Sequence, residues 1–227
     1  MDDHGWVYEP DIALLHCLVK WLTMQLNALA GIFVGGMGTR LGGIPKGLLK
    51  SPSGPGTLVE DLAHKLETLG FDRIVLVGNH AAYGRLRWPQ LADSHTGLGP
   101  KAGLLALVRH AASLNRKFVF AFACDMPHIN SALIRQLCTH APEAVALVPR
   151  REMREPLCAR YLAAAIEPRL VRQLAEQQLS LMSLLDELGT DCVELPANAD
   201  SAHALVDWDE PGDLPSTVEE LLEYQKQ

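Results

Sequence analysis

The sequence lacks the features that mark several large classes of protein. It has five cysteines, an odd number, with no CxxC pair and no Cys/His spacing of the kind that binds zinc. This pattern predicts reduced thiols that fill core space, and not disulfides or a structural zinc site. Basic residues are also scarce, because 20 Lys and Arg stand against 27 Asp and Glu, for a formal net charge of −7. The composition therefore argues against a general nucleic-acid-binding protein, which usually carries a basic face.

The chain has no apolar run long enough to cross a membrane. The apolar N-terminal stretch is interrupted by His16, Lys20 and Gln25, whereas a spanning helix needs about 20 mostly apolar residues. The opening residues are acidic, which is unlike the basic start of a secretory signal. We therefore expect a cytoplasmic protein without a membrane segment. Residues 12–24 are predicted to form a short amphipathic helix or part of an extension outside the domain, and that extension covers residues 1–27.

Apolar residues are abundant enough for a sizeable core, at 48% of the chain against 21% charged residues. From residue 28 onwards, strand-like runs alternate with helical patterns. The strand-like runs are LAGIFV (29–34), RIVLVG (73–78), KFVFAFA (117–123), AVALVP (144–149) and PLCARY (156–161), and the helical patterns cover 57–69, 100–114, 130–139 and 162–176. The alternation predicts βαβ units with a mostly parallel sheet, in which KFVFAFA is a central strand. We predict one three-layer α/β domain over residues 28–227, with a last helix within residues 209–225.

A glycine-rich segment follows the first predicted strand. GIFVGGMGTRLGGIPKGLLK, residues 31–50, places Arg40 and Lys46 among closely spaced glycines. The spacing excludes a P-loop, because Pro45 precedes Lys46 and no Ser or Thr follows it, and Leu41 stands where a dinucleotide fingerprint needs glycine. Glycines still let backbone N–H groups approach a phosphate chain, and two cations can neutralise its charge. The alternative interpretation is a flexible turn with two solvated cations.

Aspartates stand where two further apolar runs end. Asp125 follows the strongest predicted strand, and Asp207 and Asp209 stand two apart in ALVDWDEP, residues 204–211. In an open α/β sheet, ligands bind beyond the carboxyl ends of the strands. Carboxylates at that edge could hold Mg²⁺, which typically takes one or two of them together with substrate phosphates. The alternative is that each aspartate caps a neighbouring helix.

Taken together, these stretches resemble the molybdenum cofactor guanylyltransferase (MobA-like) family of nucleotidyltransferases. The family's opening pattern LAGGxSxRMGGxxKxLL corresponds here to FVGGMGTRLGGIPKGLL, residues 33–49. ADSHTGLGPKAGLLAL, residues 92–107, resembles the family's D-x-x-x-G-P-L-A-G block, and CDMP, EPLCARY and VDWDEPGDL follow in the family's order. The resemblance covers most of residues 28–216, and the ordered combination is more specific than any one motif.

The resemblance implies a Rossmann-like nucleotidyltransferase that transfers GMP from GTP to the phosphate of molybdenum-bearing molybdopterin and releases pyrophosphate. It implies that Arg40, Lys46 and Asp125 carry out catalysis, and that Asp125 binds Mg²⁺ together with Asp207 or Asp209. The residues that it implies around the nucleotide are Phe33, Val34, Gly35, Gly36, Lys46, Asn79, Asp93, Gly99, Pro100 and Asp125. The implied protein partners are other proteins of molybdenum cofactor biosynthesis or molybdoenzymes that receive the product.

Departures from the family pattern leave the base and the acceptor open. A Pro-Lys pair like Pro45-Lys46 also occurs in related cytidylyltransferases, so a cytidylyl- or sugar-phosphate nucleotidyltransferase is the alternative within the same chemistry. Lys101 replaces the leucine of GPLAG, and PRREMREP, residues 149–156, carries three arginines that could grip an acceptor phosphate or form a solvated basic turn. A non-catalytic nucleotide-binding module is the alternative from another class. Nothing in the sequence indicates an oligomeric state.

Overall fold

The computed structural model describes residues 27–35, 45–92 and 98–209. Its strands are β1 (Ala28–Phe33), β2 (Ile74–Val77), β3 (Gln90–Leu91), β4 (Phe118–Ala123), β5 (Ala146–Arg150), β6 (Cys158–Leu162) and β7 (Cys192–Pro196). Its helices are α1 (Leu58–Thr68), α2 (Gly99–Ser113), α3 (Ser131–Thr139), α4 (Ala163–Ala175), α5 (Leu181–Leu188) and α6 (Ala199–Ala204), with 3₁₀ turns at Lys46–Leu48, Ala81–Tyr83 and Gly189–Asp191. The predicted N-terminal extension, apart from Asn27, and the predicted last helix beyond Asp209 lie outside the described residues.

The seven strands form one sheet in the order β3-β2-β1-β4-β6-β5-β7. Among these strands only β6 runs antiparallel to its neighbours, β4 and β5, and every other pair is parallel. The predicted mostly parallel sheet is therefore confirmed, and KFVFAFA forms the central strand β4. Because all strands except β6 point the same way, their carboxyl ends meet at one edge of the sheet.

Helices cover both faces of the sheet, which gives the predicted three layers. Helices α1, α3 and α6 pack into the apolar cluster on one face, and α2, α4 and α5 pack into the cluster on the other. The strand β4 shows how the sequence fills both layers, since Phe120 and Phe122 belong to the first cluster while Val119 and Ala121 belong to the second. Alternate side chains of a strand point to opposite faces, so a strand buried on both faces must be apolar throughout.

The four predicted helices agree with the structure to within one residue at each end. Their boundaries follow from local chemistry that is visible in the sequence. Thr57 and Glu60 form a capping box at the start of α1, in which each side chain accepts a hydrogen bond from the other residue's backbone N–H. The side chain of Asn130 accepts a hydrogen bond from the backbone of Leu133 and caps α3 in the same way.

Four short elements were not predicted, namely β3, β7, α5 and α6. The strand β3 has only two residues, and β7 lies at the sheet edge with half-buried side chains, so neither carries a strong apolar pattern. The helices have eight and six residues, shorter than an isolated helix can sustain, and they depend on tertiary packing. Across the described ranges, no helix combines the length and apolar character that crossing a membrane requires.

Candidate active site

The site lies at the carboxyl edge of the sheet, beyond β1 and β4. The chain passes from β1 to β2 and β3 on one side and then returns to β4 on the other side of β1. Where the strand order reverses in this way, the two strand ends leave a crevice in which open α/β sheets bind ligands. The backbone N–H of Cys124 donates to the carbonyl of Phe33 across 3.2 Å, so the ends of the two strands are held together. Gly35 and Asp125 therefore lie on either side of the crevice.

Lys46 forms the charged centre of the site. Its Nζ donates to Oδ2 of Asp125 over 3.0 Å and also to Oδ1 of Asp209. These carboxylates are 79 and 163 residues away along the chain, so only the completed sheet brings the three together. Partial burial disfavours the charged form of Lys46, but the hydrogen bonds to the two carboxylates outweigh it and raise the pKa of the ammonium. Lys46 is therefore a firmly charged cation beside two anions.

Trp208 fixes the closing segment that carries Asp207 and Asp209. Its backbone N–H donates to the carbonyl of Asp125 over 2.8 Å, which joins the segment to the end of β4. Its side chain is buried against Leu49 and Leu58, at the base of the Lys46 turn and the start of α1. Because the tryptophan lies between the two aspartates, its burial holds both carboxylates at the crevice. The sequence analysis did not single out Trp208, although a tryptophan between two aspartates was the pattern to notice.

Asp207 adds a further carboxylate to this group. Partial desolvation raises the pKa of Asp207, and the charges of Asp209 and Asp125 raise it further. Glu155 lies next along the edge, where burial and then the charge of Asp207 raise the pKa of its carboxyl. In the described parts of the chain, no three His, Cys, Asp or Glu side chains are arranged as a metal site, and an ammonium lies between the two nearest carboxylates. Among the described residues, the site nevertheless has more carboxylates than cations.

The turn that carries Lys46 is held by close packing. The backbone N–H of Gly47 donates to the hydroxyl of Tyr83 over 3.1 Å, and a side chain at Gly47 would come within 2.5 Å of Val59 Cγ2. A larger residue after Lys46 would therefore have to displace the side chain of Val59, which favours glycine at this position. Burial raises the pKa of Tyr83, so its phenol stays neutral. The sequence analysis missed Tyr83, because no short-range pattern links it to a loop 36 residues earlier.

Two residues predicted to contact the nucleotide, Phe33 and Val34, already form backbone hydrogen bonds within the sheet. The carbonyl of Phe33 accepts from Cys124, and the N–H of Val34 donates to the carbonyl of Val77 over 3.0 Å. The side chains of Phe33 and Val34 are buried in the core. Gly35 is exposed just beyond them, and it is the residue at this strand end that faces solvent.

Asn79 reaches the same edge from β2. It follows Gly78, whose φ of +121° and missing side chain allow close contact, because a Cβ there would lie 3.0 Å from the backbone nitrogen of Gly35. Gly99 and Pro100 are exposed at the start of α2, where proline suits the first helical turn. The structure thus brings these exposed residues to the site edge. The remaining predicted site residues, Gly36, Arg40 and Asp93, lie outside the described residues.

The three arginines at the end of β5 and just beyond it differ in their partners. Arg150 pairs with Glu194 at 2.7 Å, and Arg154 pairs with Asp186. Arg151 is exposed, and its charge acts on Glu155, whose pKa it lowers against the larger effects of burial and Asp207. Of the three arginines, Arg151 is therefore the one whose charge bears on the carboxylates of the site.

Comparisons with known proteins bear on the family and the fold of the chain. The family model described as MobA-like NTP transferase domain matches residues 30–192. The molybdenum cofactor guanylyltransferase of Serratia proteamaculans (strain 568) is 27% identical over 198 residues, which cover 86% of this chain and 93% of that protein. The crystal structure of molybdopterin-guanine dinucleotide biosynthesis protein A from Archaeoglobus fulgidus has a TM-score of 0.67 at 22% identity and covers 87% of this chain and 99% of that chain. The 2-C-methyl-D-erythritol 4-phosphate cytidylyltransferase of Thermus thermophilus has a TM-score of 0.56 at 14% identity, covering 81% and 93%, so the fold is common to enzymes for different bases.

Proposed function

Because the chain belongs to the MobA-like NTP transferase family, we propose that it transfers GMP from GTP to the phosphate of molybdenum-bearing molybdopterin. Pyrophosphate is released, and the product is a molybdopterin guanine dinucleotide cofactor. The names of the Serratia and Archaeoglobus relatives support the choice of guanine and molybdopterin. The observation that carries the proposal is the contact of Lys46 with Asp125 and Asp209 beyond the ends of β1 and β4.

The proposed reaction is a displacement at the α-phosphorus of GTP. An oxygen of the acceptor phosphate forms the new P–O bond, the bond between the α-phosphorus and its bridging oxygen to the β-phosphate breaks, and pyrophosphate carries away the electron pair. Both reactants are anions, so positioning and charge neutralisation supply most of the catalysis. Lys46 is the cation for this task among the described residues of the crevice, and we assign the same task to Arg40.

We propose a divalent cation that two carboxylates of the site would bind together with substrate phosphates, because no three side chains of the described residues form a metal site by themselves. Asp125, Asp207 and Asp209 outnumber the single ammonium of Lys46, and Mg²⁺ prefers carboxylate oxygens together with substrate phosphates. We propose that Asp125 holds Mg²⁺ together with Asp209 or Asp207, and bound Mg²⁺ would neutralise phosphate charge. Phosphate oxygens then replace the carboxylates as acceptors for Lys46. Such an exchange keeps a charge-assisted hydrogen bond on the ammonium throughout.

The nucleotide and the acceptor are assigned to opposite sides of the crevice. We propose that Gly35, Asn79 and the start of α2 frame the base and ribose, since all are exposed at the end of the β1–β2–β3 half of the sheet. The acceptor then binds on the side of β5 and β6, where Arg151 lies. Proteins that supply molybdopterin or receive the product are the proposed partners.

One assay tests the proposal against its alternatives. The full chain is incubated with Mg²⁺, molybdopterin loaded with molybdate, and each NTP in turn, and pyrophosphate release is followed together with mass spectrometry of the product. We expect release with GTP and a dinucleotide product. Release with CTP would identify a cytidylyltransferase, the alternative that the Pro45-Lys46 pair also suggests. Nucleotide binding without release for any NTP would contradict catalysis and favour a binding module.

Asp125→Ala supplies the inactive reference for this assay. We expect it to lower Mg²⁺-dependent transfer by about 10²–10³, as for the loss of other preorganised charged groups, with an unchanged circular dichroism spectrum. Asp72→Ala is the matched control, because Asp72 is an exposed carboxylate that pairs with Arg116 instead of Lys46. Normal turnover of Asp125→Ala would contradict the metal assignment.

A further inference from the structure

Lys101 is a buried cation that the proposed chemistry does not use. It lies in the first turn of α2 and is fully buried. Its Nζ donates to Oε1 of Gln173 at 2.5 Å, to the carbonyl of Gln178 at 2.5 Å and to Oγ of Ser183 at 2.7 Å. An ammonium has three N–H donors, and all three are used here. Lys101 therefore has no lone pair with which to act as a base or nucleophile, and its role must come from what it joins.

The three acceptors come from a segment that ends at the edge of the site. The strand β6 runs antiparallel to the rest of the sheet, so α4, which follows it, returns towards the carboxyl edge. The connection between α4 and α5, residues 176–180, therefore lies at the same edge as the start of α2. Lys101 joins the two by hydrogen bonds to the end of α4, to this connection and to the first turn of α5.

The network around Lys101 is itself held in place. The amide nitrogen of Gln173 donates to the carbonyl of Ser183 at 3.2 Å and to Glu187 at 2.6 Å. Glu187 in turn pairs with Arg169 and Arg172 of α4. Burial lowers the pKa of Lys101, and the charge of Glu187 opposes this shift. The hydrogen bonds and ion pairs around Lys101 therefore fix the position of the lysine more narrowly than apolar packing would.

We propose that Lys101 is a positioning residue for the nucleotide. By tying the first turn of α2 to the α4–α5 connection, it holds Gly99 and Pro100 in the wall of the nucleotide site. The inference depends on the proposed function, which assigns these two residues to the base and ribose. Lys101 itself, being fully buried, touches neither substrate nor reacting atoms.

The test compares Lys101→Met with wild type in the full chain. GTP binding is measured by isothermal titration calorimetry, and KM and kcat are measured by pyrophosphate release. We expect the Kd and KM for GTP to rise about tenfold with little change in kcat, the pattern of lost substrate binding. Arg109→Gln is the matched control, because Arg109 also links α2 to α4, through Glu167 at 3.3 Å, but on the exposed surface. Its KM for GTP should stay at the wild-type value.

A second variant keeps the test decisive if Lys101→Met does not fold. Ser183→Ala removes one acceptor and retains the lysine, and we expect it to raise the KM for GTP by about twofold to threefold. A lower melting temperature with an unchanged KM and Kd in the variants would contradict the inference and leave the proposed function intact. If wild type prefers another NTP, the same comparison is made with that nucleotide. Wild type that binds no nucleotide would contradict the inference and the proposed function together.

Discussion

Lys46 and Lys101 lie near the same edge of the sheet in opposite surroundings. The ammonium of Lys46 contacts the carboxylates of Asp125 and Asp209, and its side chain keeps 18% of its exposure. The ammonium of Lys101 is fully buried and contacts three neutral oxygens. Burial works against the charge of both lysines, but the carboxylates leave the pKa of Lys46 raised, whereas that of Lys101 stays lowered.

The difference separates a charge available to a ligand from a charge committed to the fold. The carboxylate partners of Lys46 can be exchanged for phosphate oxygens, because an anion replaces an anion and the ammonium keeps its hydrogen bonds. The partners of Lys101 cannot be exchanged in this way, since they are neutral oxygens of the protein itself, and withdrawal of the ammonium would take a hydrogen bond from the buried Gln173 as well as from the less buried Gln178 and Ser183. We therefore interpret Lys46 as a substrate-binding residue and Lys101 as a residue that stabilises the structure around the site.

The largest expected effect follows the loss of the exchangeable charge. Lys46→Met removes the cation assigned to the phosphates, and we expect kcat/KM to fall by about 10²–10³. The effect should appear in kcat, in contrast to the KM effect of Lys101→Met. Lys50→Met is the control, because Lys50 is an exposed cation on the same loop. If steady-state kinetics show that both Lys46→Met and Lys101→Met change only KM, the proposed difference between the two lysines is wrong.

A smaller effect is expected for a third cation, Arg151, which lies on the acceptor side. Its neighbours Arg150 and Arg154 are tied to carboxylates by ion pairs, whereas Arg151 is exposed beside Glu155. Within the described residues its exposed charge is not committed to an ion pair, so it is available to an anionic acceptor. We expect Arg151→Gln to raise the KM for molybdopterin by about tenfold and to leave the KM for GTP unchanged.

Arg150→Gln is the matched control for this measurement, because its partner is Glu194 of β7. It should leave the KM for molybdopterin near the wild-type value. Equal effects of the two substitutions on that KM would mean that ion pairing does not separate structural from ligand-binding arginines on this side of the sheet. If Arg151→Gln raises only the KM for GTP, Arg151 acts on the nucleotide and not on the acceptor.

The sequence predicted Lys46 and Asp125 because each stands next to a feature with a simple physical pattern. Lys46 is part of a glycine-rich loop after a buried strand, and Asp125 ends the most apolar strand in the chain. The same apolar periodicity predicted the sheet, its central strand and four helices. What these features share is that the evidence lies within about 20 residues of sequence, the range over which periodicity and capping act.

The partners of these residues could not be predicted, because they depend on chain segments that only the fold brings together. The acceptors of Lys101 lie 72 to 82 residues away from it, and one of them is a backbone carbonyl that has no sequence signature. The contact of Trp208 with Leu49 and Leu58 similarly spans most of the described chain. The sequence therefore revealed that Lys101 departs from a family pattern, but only the structure revealed what it holds.

The smallest expected effect is a difference in how the two lysines change stability with pH. The pKa of Lys101 in the folded protein lies below its ordinary value of 10.5, so between the two values the unfolded chain binds more protons, and the contribution of Lys101 to stability rises with pH. The pKa of Lys46 lies above 10.5, so its contribution is complete below that pH and is lost as pH rises through the folded value.

Urea unfolding of wild type, Lys46→Met and Lys101→Met from pH 8 to pH 11 measures both contributions, and subtraction from wild type removes the titration of other groups. The two difference curves should have opposite signs of slope, each at most about 1.4 kcal/mol per pH unit for one proton. Difference curves with the same sign of slope would mean that the pKa values of the two lysines are not shifted in opposite directions, and that the carboxylates around Lys46 do not raise its pKa.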